Sequence, residues 1–334
     1  MSAVGWHRAD ALAERCRDLD RNWIGLRPPW GWPGEWALDL QHEPVMVNEI
    51  LAELPLRPGA VVLDGTLGLG GHSRRFAERV APGGTVIGLD WDESMLAEAR
   101  ERLAGIPGVT WHLRHADFKG LAAVVDELGL RLDGVLLDLG LNSAQVDDPD
   151  RGFSFLQPGP LDMRMDRSRG EPASALLNRL SPVQIEDALR DYGDERWARA
   201  IARQIVERRK SHPLRTTQDL VDAVLAAIPV GAREKRIHPA TRTFQAVRLL
   251  VNRELEGLAE TLRDAAERLA PGGAIAVLSY HSGEDRVVKQ VFRQLGRAGY
   301  EERYRKPLEP TDQEIQLNRR SRSAKLRVLR RLPT

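Results

Sequence analysis

The chain has 334 residues, 42% hydrophobic and 29% charged, which suits a globular protein of about two domains with a well-buried core. A net charge of +1 excludes a uniformly basic surface, so any affinity for nucleic acid must come from local clusters. Cys16 as the only cysteine excludes an intrachain disulfide framework; no apolar run reaches bilayer-spanning length and the start lacks a signal-peptide core, so a cytoplasmic protein with no membrane partner is expected.

Residues 1–40 differ from the rest. They hold five of the eight tryptophans (Trp6, Trp23, Trp30, Trp32 and Trp36) among prolines and glycines, with no sustained period and room for one short helix over 8–20. We read this Trp/Pro-rich arm as an apolar strap docked on the main domain rather than an RNA-stacking arm, because buried indoles usually pack. From Gln41 an α/β rhythm begins. Val47, Ile50, Leu51 and Leu54 mark one face of a helix. An apolar strand over 60–63 then ends in Asp64, and Gly65, Gly68, Gly70 and Gly71 follow before a helix carrying Phe76 and Val80. Strand, glycine loop and helix open a nucleotide-binding α/β sheet, whose ligand lies beyond the carboxyl ends of the strands. The dinucleotide fingerprint would need a glycine where this chain has Ser73, so an acid-terminated strand followed by glycines better suits S-adenosylmethionine, which has no pyrophosphate to cradle.

A second strand over 85–89 ends in Asp90, and Asp92 is placed to cap a helix carrying Met95, Leu96 and Leu103. A third strand, about 109–113, precedes Asp117 and Phe118; a fourth, 135–137, ends in Asp138. Strands alternating with helices predict a largely parallel sheet. The rhythm breaks after residue 145. Residues 146–180 are rich in Pro, Gly, Asp and Arg, after which Ser181 with Pro182 and Gln184 reads as a capping box. Trp197, Ile201 and Ile205 mark the next helix; Thr216 and Asp219 begin another with Leu220, Val224, Leu225 and Ile228 along one stripe. Residues 146–238 are therefore read as a helical insertion for substrate recognition, splitting a Rossmann-like domain of residues 41–145 and 239–334. Phe244, Val247, Val251, Leu255, Leu258, Leu262 and Leu269 predict one long amphipathic helix, followed by a buried strand over 274–278. Residues 318–331 hold seven cations and no acid; a solvated tail is the default for such a run, but the alternation from Ser321 also resembles a last strand with its charges lining one surface.

Asp64, Asp90 and Asp138 end successive strands and are expected at one edge of the sheet. A single strand-end acid is commonly a cap; three beside a glycine loop make a site. Asp90 is placed to accept the two hydroxyls of a ribose, a geometry that also serves nicotinamide cofactors, and Asp117-Phe118 to meet an adenine. Cys16 lies in the atypical arm, which disfavours C5 methylation of a pyrimidine through a cysteine nucleophile. No metal site is expected: His72, His238 and His281 are scattered and read as hydrogen-bonding residues.

Five stretches resemble the small-subunit (16S) ribosomal RNA cytosine-N4 methyltransferases, the MraW/RsmH family. They are Asp-Gly-Thr-Leu-Gly-Leu-Gly-Gly-His-Ser at 64–73, Leu-Leu-Asp-Leu-Gly at 136–140, Arg-Gly-Phe-Ser-Phe with Gly-Pro-Leu-Asp-Met-Arg-Met-Asp within 151–166, His-Pro-Ala-Thr-Arg-Thr-Phe-Gln-Ala-Val-Arg at 238–248, and Arg-Ser-Arg-Ser-Ala-Lys-Leu-Arg at 320–327. The likeness runs from His42 to about Val328. It implies S-adenosyl-L-methionine as cofactor, with contacts at Gly70, Gly71 and His72, Asp90 on the ribose, Phe118 beside the adenine, and Asp138 and Gln145 near the methionine end. It also implies small-subunit ribosomal RNA, free or in the assembled subunit, as partner; a homodimer is left open. Three places depart from the pattern: Asn142-Ser143-Ala144-Gln145 replaces Ser-Ser-Pro-Gln, Tyr280 and Gly283 replace Phe and Leu in Phe-His-Ser-Leu-Glu-Asp-Arg, and Arg319 replaces a proline.

The combined expectation is an enzyme that methylates the exocyclic amine of a cytosine, with Asp138 as catalytic candidate and Arg320, Arg322 and Lys325 as RNA contacts. Its rivals are a DNA amino-methyltransferase, disfavoured because Asp138-Leu139-Gly140 lacks the Pro-Pro-aromatic continuation, a nicotinamide oxidoreductase, disfavoured by the loop spacing, and a non-enzymatic ribosome assembly factor with a vestigial pocket.

Overall fold

The structure is a computed structural model that describes residues 44–234 and 237–333. The strap and short helix expected within residues 1–40 lie outside the described residues.

The elements run in the order α1 (Val47–Glu53), β1 (Val61–Asp64), α2 (Gly71–Val80), β2 (Gly84–Asp90), α3 (Glu93–Leu103), β3 (Val109–His115), α4 (Leu121–Leu128), β4 (Leu132–Asp138) and α5 (Ser143–Asp147). Then come α6 (Ala173–Arg179), α7 (Pro182–Gly193), α8 (Ala198–Arg208), α9 (Thr217–Ala227), α10 (Thr241–Asn252), α11 (Leu258–Arg268) and β5 (Leu269–Ser279). The chain closes with α12 (Ser282–Leu295), β6 (Tyr300–Glu302), α13 (Asp312–Leu317) and β7 (Lys325–Arg331).

Seven strands form one sheet in the order β3-β2-β1-β4-β5-β7-β6. The first five run parallel, and β7 is antiparallel to both β5 and β6. Because side chains alternate along a strand, each central strand feeds both faces. Val62, Leu136, Ala276 and Leu278 pack with Phe76 and Val80 on one side. Leu63, Val135, Leu137, Ile275 and Val277 pack with Leu121, Leu258 and Leu262 on the other. Burial on both faces explains why these strands read as continuous apolar runs. The chain leaves β1 for β2 and β3 on one side, then returns to place β4 on the other. The gap between β1 and β4 is thus the switch point of the sheet, where an α/β fold opens its ligand crevice.

The insertion has its own core, in which Leu177, Ile185, Ile201, Ile205, Leu220 and Val224 are buried together. Its helix starts are fixed locally. Ser181 and Gln184 form the expected capping box with Pro182 in the first turn, and Thr216 and Asp219 form another.

The single long helix expected from 244 onward is two helices. Arg253 adopts a left-handed conformation at φ 49° and caps α10, while Gly257 at φ 76° starts α11. Phe244 and Val247 bury into the insertion's core, whereas Leu258 and Leu262 bury against the sheet, and Leu269 already belongs to β5. Three- and four-residue spacing records that a face is buried, not which partner buries it, so two helices in phase read as one. The helical packing unit therefore continues past residue 238 through α10.

Candidate active site

All three strand-end acids are tied to the loop that follows β1: Asp64 from its own strand, Asp90 and Asp138 from the strands on either side. Asp64, 1% exposed, accepts a hydrogen bond from Ser73 Oγ at 2.7 Å and one from the Thr66 amide at 3.2 Å, which clasps the glycine loop between β1 and α2. Burial pushes its carboxyl above the usual range, opposed by His72 and by those hydrogen bonds. Asp90 draws the loop toward β2: one oxygen accepts the Gly68 amide at 2.7 Å, the other the Asp92 amide at 2.8 Å. Burial outweighs both amides and holds Asp90 at about 6.

Gly70 is αL at φ 82° and ends the loop at the start of α2; a Cβ there would lie 2.9 Å from Leu103. One on Gly71 would lie 2.6 Å from Pro44. The two expected cofactor glycines are thus also demanded by close packing. His72 is buried, with Nε2 3.0 Å from the Val45 carbonyl and its ring stacked against Phe76.

Asp138 stands across the switch point. Its amide donates to Thr66 Oγ1 at 2.7 Å, its Oδ1 accepts the Tyr280 hydroxyl at 2.8 Å, and its Oδ2 lies 3.9 Å from His72 Nδ1. Burial raises its carboxyl to about 6, with His72 and Tyr280 pulling it down and Asp64 and Glu284 pushing it up. His72 and Asp138, 66 positions apart, therefore form one cluster with Asp64.

Gln145 is held by protein partners at the edge of the crevice. Its side chain completes a capping box with Asn142 at the start of α5, and its Nε2 donates to Asp92 Oδ2 at 2.8 Å. Asp92 is a hub that sequence spacing marks only as a helix cap. Besides Ser94 it accepts Arg151 Nη1 at 2.6 Å, and Arg151 Nη2 in turn donates to the carbonyls of Arg164 and Met165. Against a burial that would raise it, hydrogen bonds from Ser94, Gln145 and Arg151 hold Asp92 below the ordinary carboxylate range. Gln145 thus reaches the β2 side of the crevice, and the same carboxylate anchors the insertion through Arg151. Phe118 is largely buried in the core beside Leu121, with Lys119 Nζ 5.9 Å from its ring centre; Asp117 caps the turn that carries it.

The C-terminal cations do not line one surface as expected. Arg319, Arg320 and Arg322 are exposed and Lys325 is half-buried, but Arg327 is buried and pairs with Asp285 at 2.6 Å. Arg330 and Arg331 donate to the carbonyls of Glu53 and Leu269. Central position in the sheet is the cause: β7 lies between β5 and β6, so alternate side chains face packed helices. Arg320 reaches Asp147 at 2.5 Å, which lays the tail beside the end of α5. His238 stacks on Phe155, and His281 caps α12.

The donor set fits S-adenosylmethionine. Asp90 and Asp138 are acceptors held near 6 by burial, and each retains lone-pair directions beyond its protein bonds. A ligand with two ribose hydroxyls, an ammonium and a sulfonium supplies donors and positive charge to just such a row. Asp90 would hold the ribose, and Asp138 the sulfonium and amino-acid end.

The MraW methylase family model matches residues 39–332. The chain is 48% identical over 310 residues to a protein of Pelobacter propionicus named ribosomal RNA small subunit methyltransferase H, covering 87% of this chain and 99% of that protein. Proteins with the same name from Heliobacterium modesticaldum and Leptothrix cholodnii are each 45% identical over 309 residues, covering 87% and 88% of this chain and 98% and 94% of theirs. A sheet that opens at β1 and β4, an acid row at its edge and this near full-length match together place the chain in the MraW methylase family.

Proposed function

We propose that this methylase transfers a methyl group from S-adenosylmethionine to the exocyclic N4 amine of a cytidine in small-subunit (16S) ribosomal RNA, in the cytoplasm. The observation that carries the reading is Asp138 at the end of β4, across the switch point from the glycine loop and bonded by Tyr280. The names of the relatives point the same way.

S-adenosylmethionine, when bound, supplies an electrophilic methyl on a positive sulfur. The protein's task is to make a poor nucleophile attack it. The lone pair of a cytosine amine is delocalised into the ring, so the site must hold the nitrogen in line and favour its pyramidal form. Asp138 accepts a hydrogen bond from the amine and draws that lone pair out of conjugation, while its charge offsets the positive charge that develops on nitrogen. As the nitrogen–methyl bond forms, the methyl–sulfur bond breaks with its electron pair left on sulfur, and the nitrogen then sheds one proton to water. Positioning supplies much of the remainder. The cytosine must be unstacked to enter. Exposed Arg320 and Arg322, with Lys325, hold phosphates beside α5, and the helical insertion presents the RNA.

Asp138→Asn preserves the shape and removes the charged acceptor. Single-turnover methylation at saturating cofactor should fall by about two orders of magnitude, the scale for removing one preorganised electrostatic interaction. A near-normal rate with weakened cofactor binding would confine Asp138 to holding the methionine amine. Mass spectrometry of ribosomal RNA nucleosides from cells with and without the gene tests the whole reading, since an unchanged N4-methylcytidine content would overturn it. Naked 16S RNA and assembled subunits, compared as substrates in vitro, identify which form is bound.

A further inference from the structure

Tyr280 lies at the junction between β5 and α12, where the buried strand gives way to the His281 cap. Its hydroxyl donates to Asp138 Oδ1 at 2.8 Å, a bond between residues 142 positions apart. Both ends of the tyrosine are held. Its amide donates to Glu284 Oε2 at 3.0 Å, and Glu284 Oε1 lies 2.9 Å from His281 Nε2. Glu284 is itself 2% exposed and so has little freedom to release the backbone. On the ring side Gly140, at φ 139°, brings the chain after β4 against the tyrosine; a Cβ there would lie 3.3 Å from Tyr280 Cδ2.

We propose that Tyr280 is a positioning residue for methyl transfer: its hydroxyl fixes the rotation of the Asp138 carboxylate, so that Oδ2 is the oxygen presented to the reacting amine. This rests on the reading of Asp138 given above. A carboxylate rotates about its Cβ–Cγ bond unless one oxygen is engaged, and a rotating acceptor loses the preorganisation on which its catalytic worth depends. The phenol is suited to the task because burial, together with the Asp138 charge, pushes its ionisation well above the ordinary tyrosine value. It remains a donor throughout the working pH range.

The same bond favours the ionised carboxylate. The other groups facing Asp138 are His72 from α2, Asp64 from β1 and Glu284 from α12. Tyr280→Phe leaves these in place, keeps the ring against Gly140 and removes only the hydroxyl. Without that donor the Asp138 carboxyl should titrate higher.

Two measurements test the inference. The first is carbon-13 NMR titration of the Asp138 carboxyl in the ligand-free enzyme. Its midpoint, about 6 in the parent protein, should rise by at least half a pH unit in Tyr280→Phe. The second is single-turnover methylation of small-subunit RNA at saturating cofactor from pH 5 to 8. Tyr280→Phe should be slower by about tenfold, its acid limb displaced upward. In an Asp138→Asn background the tyrosine change should add nothing. An unmoved carboxyl midpoint, or additive losses in the double variant, would overturn the inference. A slow Asp138→Asn beside a Tyr280→Phe of parental rate sinks the positioning role alone; a parental rate in Asp138→Asn sinks it together with the role of Asp138.

Discussion

At the scale of single residues the site is a set of carboxylates kept from water without a full set of donors. Asp90 and Asp138 both sit near 6 because burial penalises their charge more than their hydrogen bonds repay it. A cationic ligand bearing hydroxyl donors reverses that balance and lowers both. The sign follows: the ligand-free protein holds protons at pH 5–6 that the complex does not, so binding releases protons there and weakens as pH falls below about 6. Calorimetry in two buffers of different ionisation enthalpy at pH 5.8 and at pH 8 measures this, with release expected at the lower pH and almost none at the higher. Asp90→Ala should reduce the release and cost about 1.5–3 kcal/mol of binding, the scale of hydrogen bonds to a charged group. Unchanged affinity would remove Asp90 from the site.

At the scale of elements, the joint between sheet and insertion is as much a part of the site as the strand ends. Arg151 and Asp92 are almost wholly buried, and their pair links the turn after β2 to the chain that precedes α6. Trp91, next to Asp92, packs on the insertion's core. Truncating one member strands a buried charge, for which the usual cost is about 3–5 kcal/mol. Arg151→Ala should therefore lower the stability measured by urea denaturation by that amount, and it should loosen Gln145, which shares the same carboxylate oxygen. A loss below about 1 kcal/mol would show that the insertion is held by its apolar packing alone. The break between α10 and α11 belongs to this scale too, since it lets one stretch of chain serve two cores.

For the molecule as a whole, a net charge of +1 leaves RNA affinity to the exposed cations. Arg319, Arg320 and Arg322 are the accessible part of a basic run in which Arg327, Arg330 and Arg331 hold the fold together. Neutralising Arg320, Arg322 and Lys325 together should flatten the dependence of log affinity on log salt by about 2, since each phosphate that a cation neutralises on single-stranded RNA contributes roughly 0.7 to that slope. Cofactor affinity should be unchanged. Fluorescence anisotropy with a small-subunit RNA fragment over a salt series decides the matter, and an identical slope in the triple variant would show that these side chains meet only water and Asp147. Among the described residues no helix is long and apolar enough to cross a membrane.

What the sequence determined by itself was local. The helix starts at Asp92, Ser181 and Thr216 were legible because a cap and its partner amide lie two or three residues apart. The strands ending in Asp64, Asp90 and Asp138 were legible because an apolar run of that length, stopped by an acid before a turn, has few other uses. Resemblance added Gly70, Gly71, His72 and Gln145 as cofactor contacts beside those acids. Tertiary structure alone decided the rest. Strand order put Asp138 beside β1, with His72 within 3.9 Å; packing on both faces of β7 turned Arg327 from a surface cation into the buried partner of Asp285. The break at Arg253 assigned one apolar stripe to two cores. Tyr280 appeared in the sequence only as a departure from a motif, because a hydrogen bond spanning 142 positions is set by register across the sheet, and no short stretch of chain encodes that register.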